Sequence, residues 1–188
     1  MISKKKYFEY LKDRSILGFF YRNFFLYPKL NKLLDAQTLD IGCGVGDFLK
    51  FRPNTIGVDI NKNCIDWCLE QGLSVKHMKV NELPFSDGSF DSVMLDNVLE
   101  HIDNPDPLLR EIFRVLKKQG ILVIGVPGLY GYDCDSDHKK FYSRDEIVRT
   151  LDRNGYSNEK IFGMPLDISW LSSKIRQYCI YGRFVKKT

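Results

Sequence analysis

Residues 40–48 combine acidic side chains with closely spaced glycines, a pattern suited to binding a small polar ligand. The run reads DIGCGVGDF, with glycines at 42, 44 and 46, and glycine lacks the β-carbon that would keep a ligand away from the backbone. Dinucleotide sites use G-x-G-x-x-G, which brings a diphosphate to a helix N-terminus. Here the spacing is G-x-G-x-G and Asp47 follows, where its charge would repel a diphosphate. The pattern favours a phosphate-free cofactor with a charged amine, and a purely structural glycine turn is the alternative.

A second acidic residue stands where the next predicted strand ends. That strand finishes in GVDI, which puts Asp59 at the end of a strand neighbouring the glycine turn. A carboxylate in this position can accept hydrogen bonds from both hydroxyls of a ribose. Together, the glycine turn and Asp59 indicate a nucleoside cofactor that carries no phosphate.

An alternation of predicted strands and helices positions these residues. Short apolar or alternating runs predict strands, at 37–41, 54–60, 74–80, 90–96 and 121–127. The most strongly amphipathic helix is predicted over 107–120, with two lysines in its last turn and Gly120 as its stop. Such alternation is typical of an α/β fold with a parallel sheet and helices on both faces. Ligands of these sheets bind beyond the carboxyl ends of the strands, which is where the glycine turn and Asp59 fall.

Four segments in the right order resemble the class I S-adenosylmethionine-dependent methyltransferases, of the small "type 11" kind. They are LDIGCGVGDFL, GVDI, LPFSDGSFDSVMLDNVLEHI and LKKQGILVIGVP, and the resemblance covers about residues 37–163. It implies S-adenosylmethionine as the cofactor and a three-layer Rossmann-like sandwich. The implied sheet has seven strands, mostly parallel, with the last strand antiparallel. ISWLSSKIRQY would be a late helix, and the tail near YGRFVKK the final strand.

The resemblance also implies which residues bind the cofactor. The glycine turn would border its methionine part, Asp40 would lie near its amine, Asp59 would hold its ribose, and the segment before LPF would cover its adenine. The implied set is Asp40, Gly42, Cys43, Gly44, Gly46, Asp59, Ile60, Val80, Asn81, Asp96, Asn97 and Val98.

One position departs from the family pattern. Many relatives have an aspartate four residues before the Leu of LPF, where it bonds the adenine amine, and this chain has Lys79 there. A lysine has only donors and cannot accept that hydrogen bond. Backbone groups around Val80 and the side-chain carbonyl of Asn81 are the candidate replacements.

Two histidines are candidate catalytic residues on the acceptor side. His101 follows the fourth predicted strand, at the lip between cofactor and acceptor in the family; it either acts as a base or acceptor contact, or braces the turn with Glu100. Asp137 and His138 stand where similar methyltransferases carry an aspartate and a histidine. They could orient and deprotonate a hydroxyl, because a neutral imidazole is a competent base at pH 7. The aspartates of the preceding DCD could bind a cation, although the expected mechanism requires no metal; a solvated loop is the alternative.

The first 34 residues form a basic segment rich in aromatic side chains. Apolar residues at 16, 20, 24 and 27 fall at helical spacing. Either this helix packs on the sheet and closes the cofactor pocket as a lid, or its Lys/Arg fringe meets an anionic acceptor or a membrane surface carrying a lipid-linked one. Nucleic acid is disfavoured because the body of the chain is acidic and no RNA-binding module is appended. We therefore divide the chain into a lid segment, 1–34, and a methyltransferase domain, 35–188.

Composition narrows the class of protein. Apolar content of 44% and charged content of 28% exclude disordered and low-complexity classes. The net charge of +4 hides an acidic body between two basic ends.

The five cysteines form no C-x-x-C pair, which favours free thiols and the cytoplasm. The apolar run after residue 15 is interrupted by Arg22, Asn23 and Pro28, so no transmembrane span is expected.

These observations predict an S-adenosylmethionine-dependent methyltransferase that acts on a small molecule, at oxygen, by in-line displacement. An RNA or protein methyltransferase would share the cofactor site, although no N/D-P-P-Y-type signature is present. A non-catalytic cofactor-binding domain also stays open, because of Lys79. A nicotinamide oxidoreductase is disfavoured by the glycine spacing and by Asp47.

Overall fold

A single seven-stranded sheet organises the residues that the computed structural model describes, which are 4–13 and 15–188. The strands are β1 (Thr38–Ile41), β2 (Thr55–Asp59), β3 (Val75–His77), β4 (Phe90–Asp96), β5 (Leu116–Pro127), β6 (Tyr156–Met164) and β7 (Cys179–Lys186). Their order is β3-β2-β1-β4-β5-β7-β6, and β7 runs antiparallel to both of its neighbours. The predicted sheet, with its antiparallel last strand, is confirmed.

Eight α-helices surround this sheet in the described part of the chain. They are α1 (Lys4–Lys12), α2 (Ile16–Tyr21), α3 (Tyr27–Asn31), α4 (Asp47–Phe51), α5 (Lys62–Glu70), α6 (Asp106–Val115), α7 (Leu129–Asp133) and α8 (Arg144–Arg153). A π-helical turn, Arg22–Leu26, joins α2 to α3. Asn61 and Ser143 cap α5 and α8, each accepting a backbone N–H through its side-chain oxygen. None of the described helices is long and apolar enough to span a membrane.

Apolar residues pack against both faces of the sheet, which makes three layers. On one face, Leu109 and Ile112 of α6 and Leu151 of α8 belong to the same fully buried cluster as Leu122 and Ile124 of β5. On the other face, a second cluster joins α3 and α4 to β4, β5 and β7; its buried members include Leu30, Phe48, Met94, Val123 and Tyr181. The N-terminal segment is therefore anchored to the sheet through α3. Residues 1–3 and 14 of the predicted 1–34 segment lie outside the described residues.

Three predicted elements are shorter than expected. The helix over 107–120 ends at Val115, because Leu116 turns to an extended conformation and pairs with Phe90 at the start of β4. Lys186 then donates from its Nζ to the carbonyls of Phe113 and Leu116, at 2.6 and 2.7 Å. Gly120 is thus part of β5 rather than a helix stop.

The other two corrections concern local backbone pairing. The strand predicted at 74–80 is reduced to β3, because Lys79 pairs back with Glu82 in an isolated bridge. The late helix predicted in ISWLSSKIRQY is only a 3₁₀ turn, Ser169–Ser173.

Candidate cofactor and acceptor pocket

The glycine turn after β1 takes a conformation that only glycine adopts freely. Gly42 and Gly46 have φ angles of +74° and +78°, in the left-handed region. A β-carbon on Gly42 would lie 2.5 Å from a methyl of Val98, and one on Gly46 would lie 2.4 Å from Leu73 Cδ1. Gly42 also donates its N–H to the carbonyl of Val58 at 2.8 Å. The turn is thus held tightly against β2 and the segment after β4.

Asp59 secures the same turn from the end of β2. Its side chain is buried, Oδ2 accepts from the N–H of Gly44 at 2.9 Å, and Oδ1 accepts from the N–H of Asn61 at 2.7 Å. The predicted ribose-binding carboxylate therefore also fixes the relative positions of the glycine turn and the start of α5. A carboxylate offers about four acceptor sites, so one side chain can hold more than one backbone segment.

A cavity of about 540 Å³ opens above the carboxyl ends of β1, β4 and β5. Eight predicted site residues line it: Asp40, Gly42, Cys43, Gly44, Asp96, Asn97, His101 and His138. The other seven predicted residues are not among its lining residues: Gly46, Asp59, Ile60, Val80, Asn81, Val98 and Asp137. Most residues predicted to contact the methionine part or the acceptor therefore share this cavity, whereas those predicted to contact the ribose and the adenine lie outside it.

Acidic groups dominate the floor of the cavity. Asp40 is almost fully buried, and its pKa is raised well above the ordinary value, first by burial and then by the charges of Asp96 and Asp59. Burial and the nearby Cys179 and Asp96 raise the pKa of Tyr21 to about 12. The cavity's other acidic and basic lining residues are Asp13, Asp47, Glu100, Asp135, Arg22 and Arg176. Such a site favours a cationic ligand over an anionic one.

The expected adenine side lies along β2 and the chain after β3. Met78 donates its N–H to the carbonyl of Asp59 at 3.1 Å, which holds the two segments side by side. Ile60 and Val80 are large apolar residues with 41% and 71% of their surface exposed, and exposed apolar surface of this kind suits a flat ring. Lys79 turns away to pair with Glu82 at 3.4 Å in an exposed ion pair.

Glu100, His101 and His138 line the part of the cavity that the sequence predicts to face the acceptor. Glu100 is only 1% exposed, and burial raises the pKa of its carboxyl to about 8. The rings of His101 and His138 lie 4.7 Å apart, and burial together with His138 lowers the pKa of His101. His138 Nδ1 lies 2.8 Å from the carbonyl oxygen of Tyr132. Asp137 contributes its backbone carbonyl, which accepts from the His101 ring.

Sequence reasoning missed several cavity residues on elements far from the motifs. Tyr181 and Cys179 reach the cavity from β7, and Tyr21 and Arg22 reach it from the N-terminal segment. Residues two apart on a strand share a face, so the pair in β7 could be found from its period-two spacing once that strand was placed. Arg22 Nη2 lies 3.6 Å from Asp47 Oδ2, which ties the N-terminal segment to the start of α4.

Comparisons with known proteins match this architecture. The sequence model of a family described as "Methyltransferase domain" matches residues 39–124. An uncharacterized protein of Methanocaldococcus jannaschii is 35% identical over 136 residues, which are 66% of this chain and 66% of that protein. The demethylmenaquinone methyltransferase of Lactobacillus johnsonii is 33% identical over 109 residues, 50% of this chain and 45% of that enzyme.

A solved structure extends the likeness to nearly the whole chain. A SAM-dependent methyltransferase of Thermotoga maritima, described as a possible histamine N-methyltransferase, superposes with a TM-score of 0.72 over 98% of this chain and 97% of that chain. The two are 20% identical, so this likeness shows the fold. The chain spans 66%, 56% and 44% of the lengths of three curated relatives, in each case less than two thirds.

Proposed function

This chain belongs to the class I S-adenosylmethionine-dependent methyltransferase family, and we propose on that premise that it transfers a methyl group to the oxygen of a small-molecule acceptor. One observation carries the proposal, the acid-lined cavity above the glycine turn. Asp40, Asp96, His101 and His138 all line it. A cationic, phosphate-free cofactor and a polar acceptor each find suitable groups there.

The residues present fit S-adenosylmethionine. At Gly42 and Gly44 the cavity wall is bare backbone, so the cofactor can approach it closely. Asp40 and Asp96 would bind the amine, and the Asp59 carboxylate at the end of β2 would accept from the ribose hydroxyls. Ile60 and Val80 would flank the adenine, with the side-chain carbonyl of Asn81 as the acceptor that Lys79 does not supply.

When bound, the cofactor supplies an electrophilic methyl group on a sulfonium. The protein's task is then to align the acceptor oxygen and to exclude water, a proximity effect worth about 7–11 kcal/mol. His138 is oriented for the proton transfer, because its Nδ1 faces the Tyr132 carbonyl oxygen and leaves Nε2 to take the proton from a hydroxyl. A positioned base of this kind adds about 10²–10⁴-fold.

The small size of the acceptor is argued from what closes the cavity. Tyr10, Leu11, Tyr21 and Arg22 of the N-terminal segment line its wall, and a volume of about 540 Å³ is that of a small-molecule site. The segment 1–34 would act as the lid. Its exposed aromatic surface and basic fringe suit an anionic or lipid-linked acceptor. All five cysteines are free thiols, which is consistent with catalysis in the cytoplasm.

Binding of S-adenosylhomocysteine, followed by isothermal titration calorimetry, tests the proposal. Asp59→Ala should weaken binding by about 10–100-fold, since hydrogen bonds to a charged group contribute about 1.5–3 kcal/mol. Asp91→Ala is the matched control. Asp91 also accepts a backbone N–H, that of Gln37 at 3.0 Å, but it lies at the amino end of β4, away from the carboxyl ends that face the cavity. This variant should leave the affinity unchanged.

Incubation with methyl-labelled S-adenosylmethionine and fractionated cell extract identifies the acceptor class. Label in the small-molecule fraction supports the proposal. Label confined to RNA or protein would contradict the small acceptor, and absence of any S-adenosylhomocysteine binding by the wild-type protein would contradict the cofactor assignment.

A further inference from the structure

Among the described residues, one group of ligand-type side chains converges closely enough to hold a metal ion. It consists of Glu100, His101 and His138, whose ligand atoms all lie within 4.8 Å of one another. We propose that these three residues form a binding site for a divalent transition-metal ion on the acceptor side of the cavity.

The Glu100 carboxylate lies in an environment that calls for a cation. The residue is 1% exposed, lines the cavity, and apart from its own backbone N–H has no hydrogen-bond partner for either oxygen among the described residues. Buried polar groups are nearly always satisfied, and an exception calls for an explanation such as an ion. The nearest basic atom is His138 Nε2, 3.9 Å from Oε1. A cation placed between these atoms would satisfy the carboxylate.

The two imidazoles are oriented as metal-binding histidines usually are. His138 Nδ1 lies 2.8 Å from the Tyr132 carbonyl oxygen, and the His101 ring bonds the carbonyl of Asp137. Metal-binding histidines typically donate one ring N–H to a carbonyl or carboxylate, which leaves the other nitrogen unprotonated for the metal. The Tyr132 ring also stacks on His138, with centroids 5.3 Å apart and planes 17° apart. Both rings are thus fixed before any ion arrives.

The chemistry of the donor atoms decides which metal ion the site would bind. Two imidazoles and one carboxylate suit Zn²⁺, Fe²⁺ or Co²⁺, whereas Mg²⁺ and Ca²⁺ prefer oxygen donors. Bonds of about 2.0–2.2 Å in a tetrahedral site put ligand atoms roughly 3.4 Å apart. The 3.9 Å between Glu100 and His138 closes to this value with a small side-chain rotation. Asp135, with Oδ2 4.0 Å from His138 Nε2, offers a further oxygen.

The consequence for methyl transfer rests on the proposed function. Three protein ligands leave a position open toward the cavity, as in catalytic metal sites. An acceptor hydroxyl bound there would lose its proton to water more readily, because the ion lowers the pKa of a bound hydroxyl. His138 Nε2 would then serve as a ligand, and the ion would replace it in activating the oxygen.

Titration of chelator-treated protein with Zn²⁺ and with Co²⁺ tests the site. We expect one ion per chain and a visible Co²⁺ spectrum without the intense near-ultraviolet band of thiolate ligation, which would mark the free cysteines instead. Glu100→Gln keeps the shape of the side chain and removes its charge, so it should weaken binding at least tenfold, as should His138→Gln. The chain has three histidines, and the third, exposed His77, provides the matched control His77→Gln, which should bind like the wild type.

Each outcome decides the proposal. Absence of ion binding, thiolate ligation, or equal weakening by His77→Gln and Glu100→Gln would overturn it. Circular dichroism and thermal unfolding of the variants separate loss of the site from loss of the fold. Titration of wild-type protein with S-adenosylhomocysteine is run separately, so failure of the proposed function is distinguished from failure of the metal site.

Discussion

At the scale of single residues, the pKa of a buried carboxyl separates groups that serve a ligand from groups that serve the fold. Glu111 accepts from Arg114 and from the backbone N–H of Leu83, and these bonds lower its pKa. Asp40 and Glu100 are buried more deeply, yet burial raises the pKa of both carboxyls. Folding gains nothing from such groups, and perturbed carboxyls in a cleft are typical of functional sites.

Asp40→Asn should therefore raise stability and lower cofactor affinity. The pKa of Asp40 is raised above 3.8 in the folded protein, so the folded state holds a proton that the unfolded chain releases, and the free energy of unfolding falls as pH rises above 3.8. Asparagine does not titrate, so the variant should not lose this part of its free energy of unfolding as the pH rises. Urea unfolding at pH 7.5 should show a more stable variant, and the difference should vanish near pH 3.

The same variant should bind S-adenosylhomocysteine about 10–100-fold more weakly at pH 7.5, because a hydrogen bond between the charged amine and the Asp40 carboxyl is lost. Calorimetric titration at the same pH checks this. A variant less stable than the wild type, or one with unchanged affinity, would contradict the assignment of Asp40.

Residue types at strand ends were predictable from sequence, whereas contacts between distant elements were not. Asp40, Asp96 and His101 could be found because they stand in motifs, near predicted strand ends, that resemble those of the methyltransferase family. The convergence of Glu100 with His138 depends on a loop that folds back, where Lys139 donates its N–H to the Glu100 carbonyl at 2.7 Å. No local pattern encodes that contact.

At the scale of elements, the turn between β1 and α4 couples the sheet to the pocket. Its three glycines were predicted as a ligand-binding turn, and the structure adds the neighbours that require them, such as Leu73 beside Gly46. Helix and strand bounds were less predictable. The amphipathic pattern of α6 runs on into β5, because Leu116 at the start of the strand is also apolar and buried. Periodicity alone therefore could not place the boundary.

Two glycine-to-alanine variants, Gly46 in this turn and Gly72 after α5, separate the cost of backbone conformation from the cost of packing. Gly72 has a φ of +71°, and beyond its chain neighbours no atom lies within 4 Å of the position that a β-carbon would take, so Gly72→Ala should cost about 1–2 kcal/mol from conformation alone. Gly46→Ala should carry the same conformational cost. Its new β-carbon would also clash with Leu73, which adds about 1–3 kcal/mol. Urea unfolding measures both, and only Gly46→Ala should weaken S-adenosylhomocysteine binding. Equal costs would show that packing against Leu73 is unimportant.

At the scale of the whole molecule, the chain's acidic and basic parts have different places: the acidic body lines the cavity, and the basic N-terminal segment lies against it. The acidic body supplies the cavity floor, and the basic N-terminal segment meets it through Arg22 and Asp47. This segment is anchored at α3 by Leu30, which is fully buried, whereas Leu17, Phe20 and Phe24 are half or more exposed. The segment is also anchored at α1 by buried Leu11, so its exposed part lies in the middle. We propose that this part covers the cavity and tightens on a ligand.

Hydrogen exchange with and without S-adenosylhomocysteine tests this role. Residues 15–27 include the cavity-lining Tyr21 and Arg22, so ligand binding should slow their amide exchange, because a ligand held beneath the segment lowers the population of its open forms. Helix α8 contributes no residue to the cavity and serves as the internal control, with exchange that should change little. Equal slowing in both regions would indicate global stabilisation, and no slowing in 15–27 would show that the segment does not close over the cofactor.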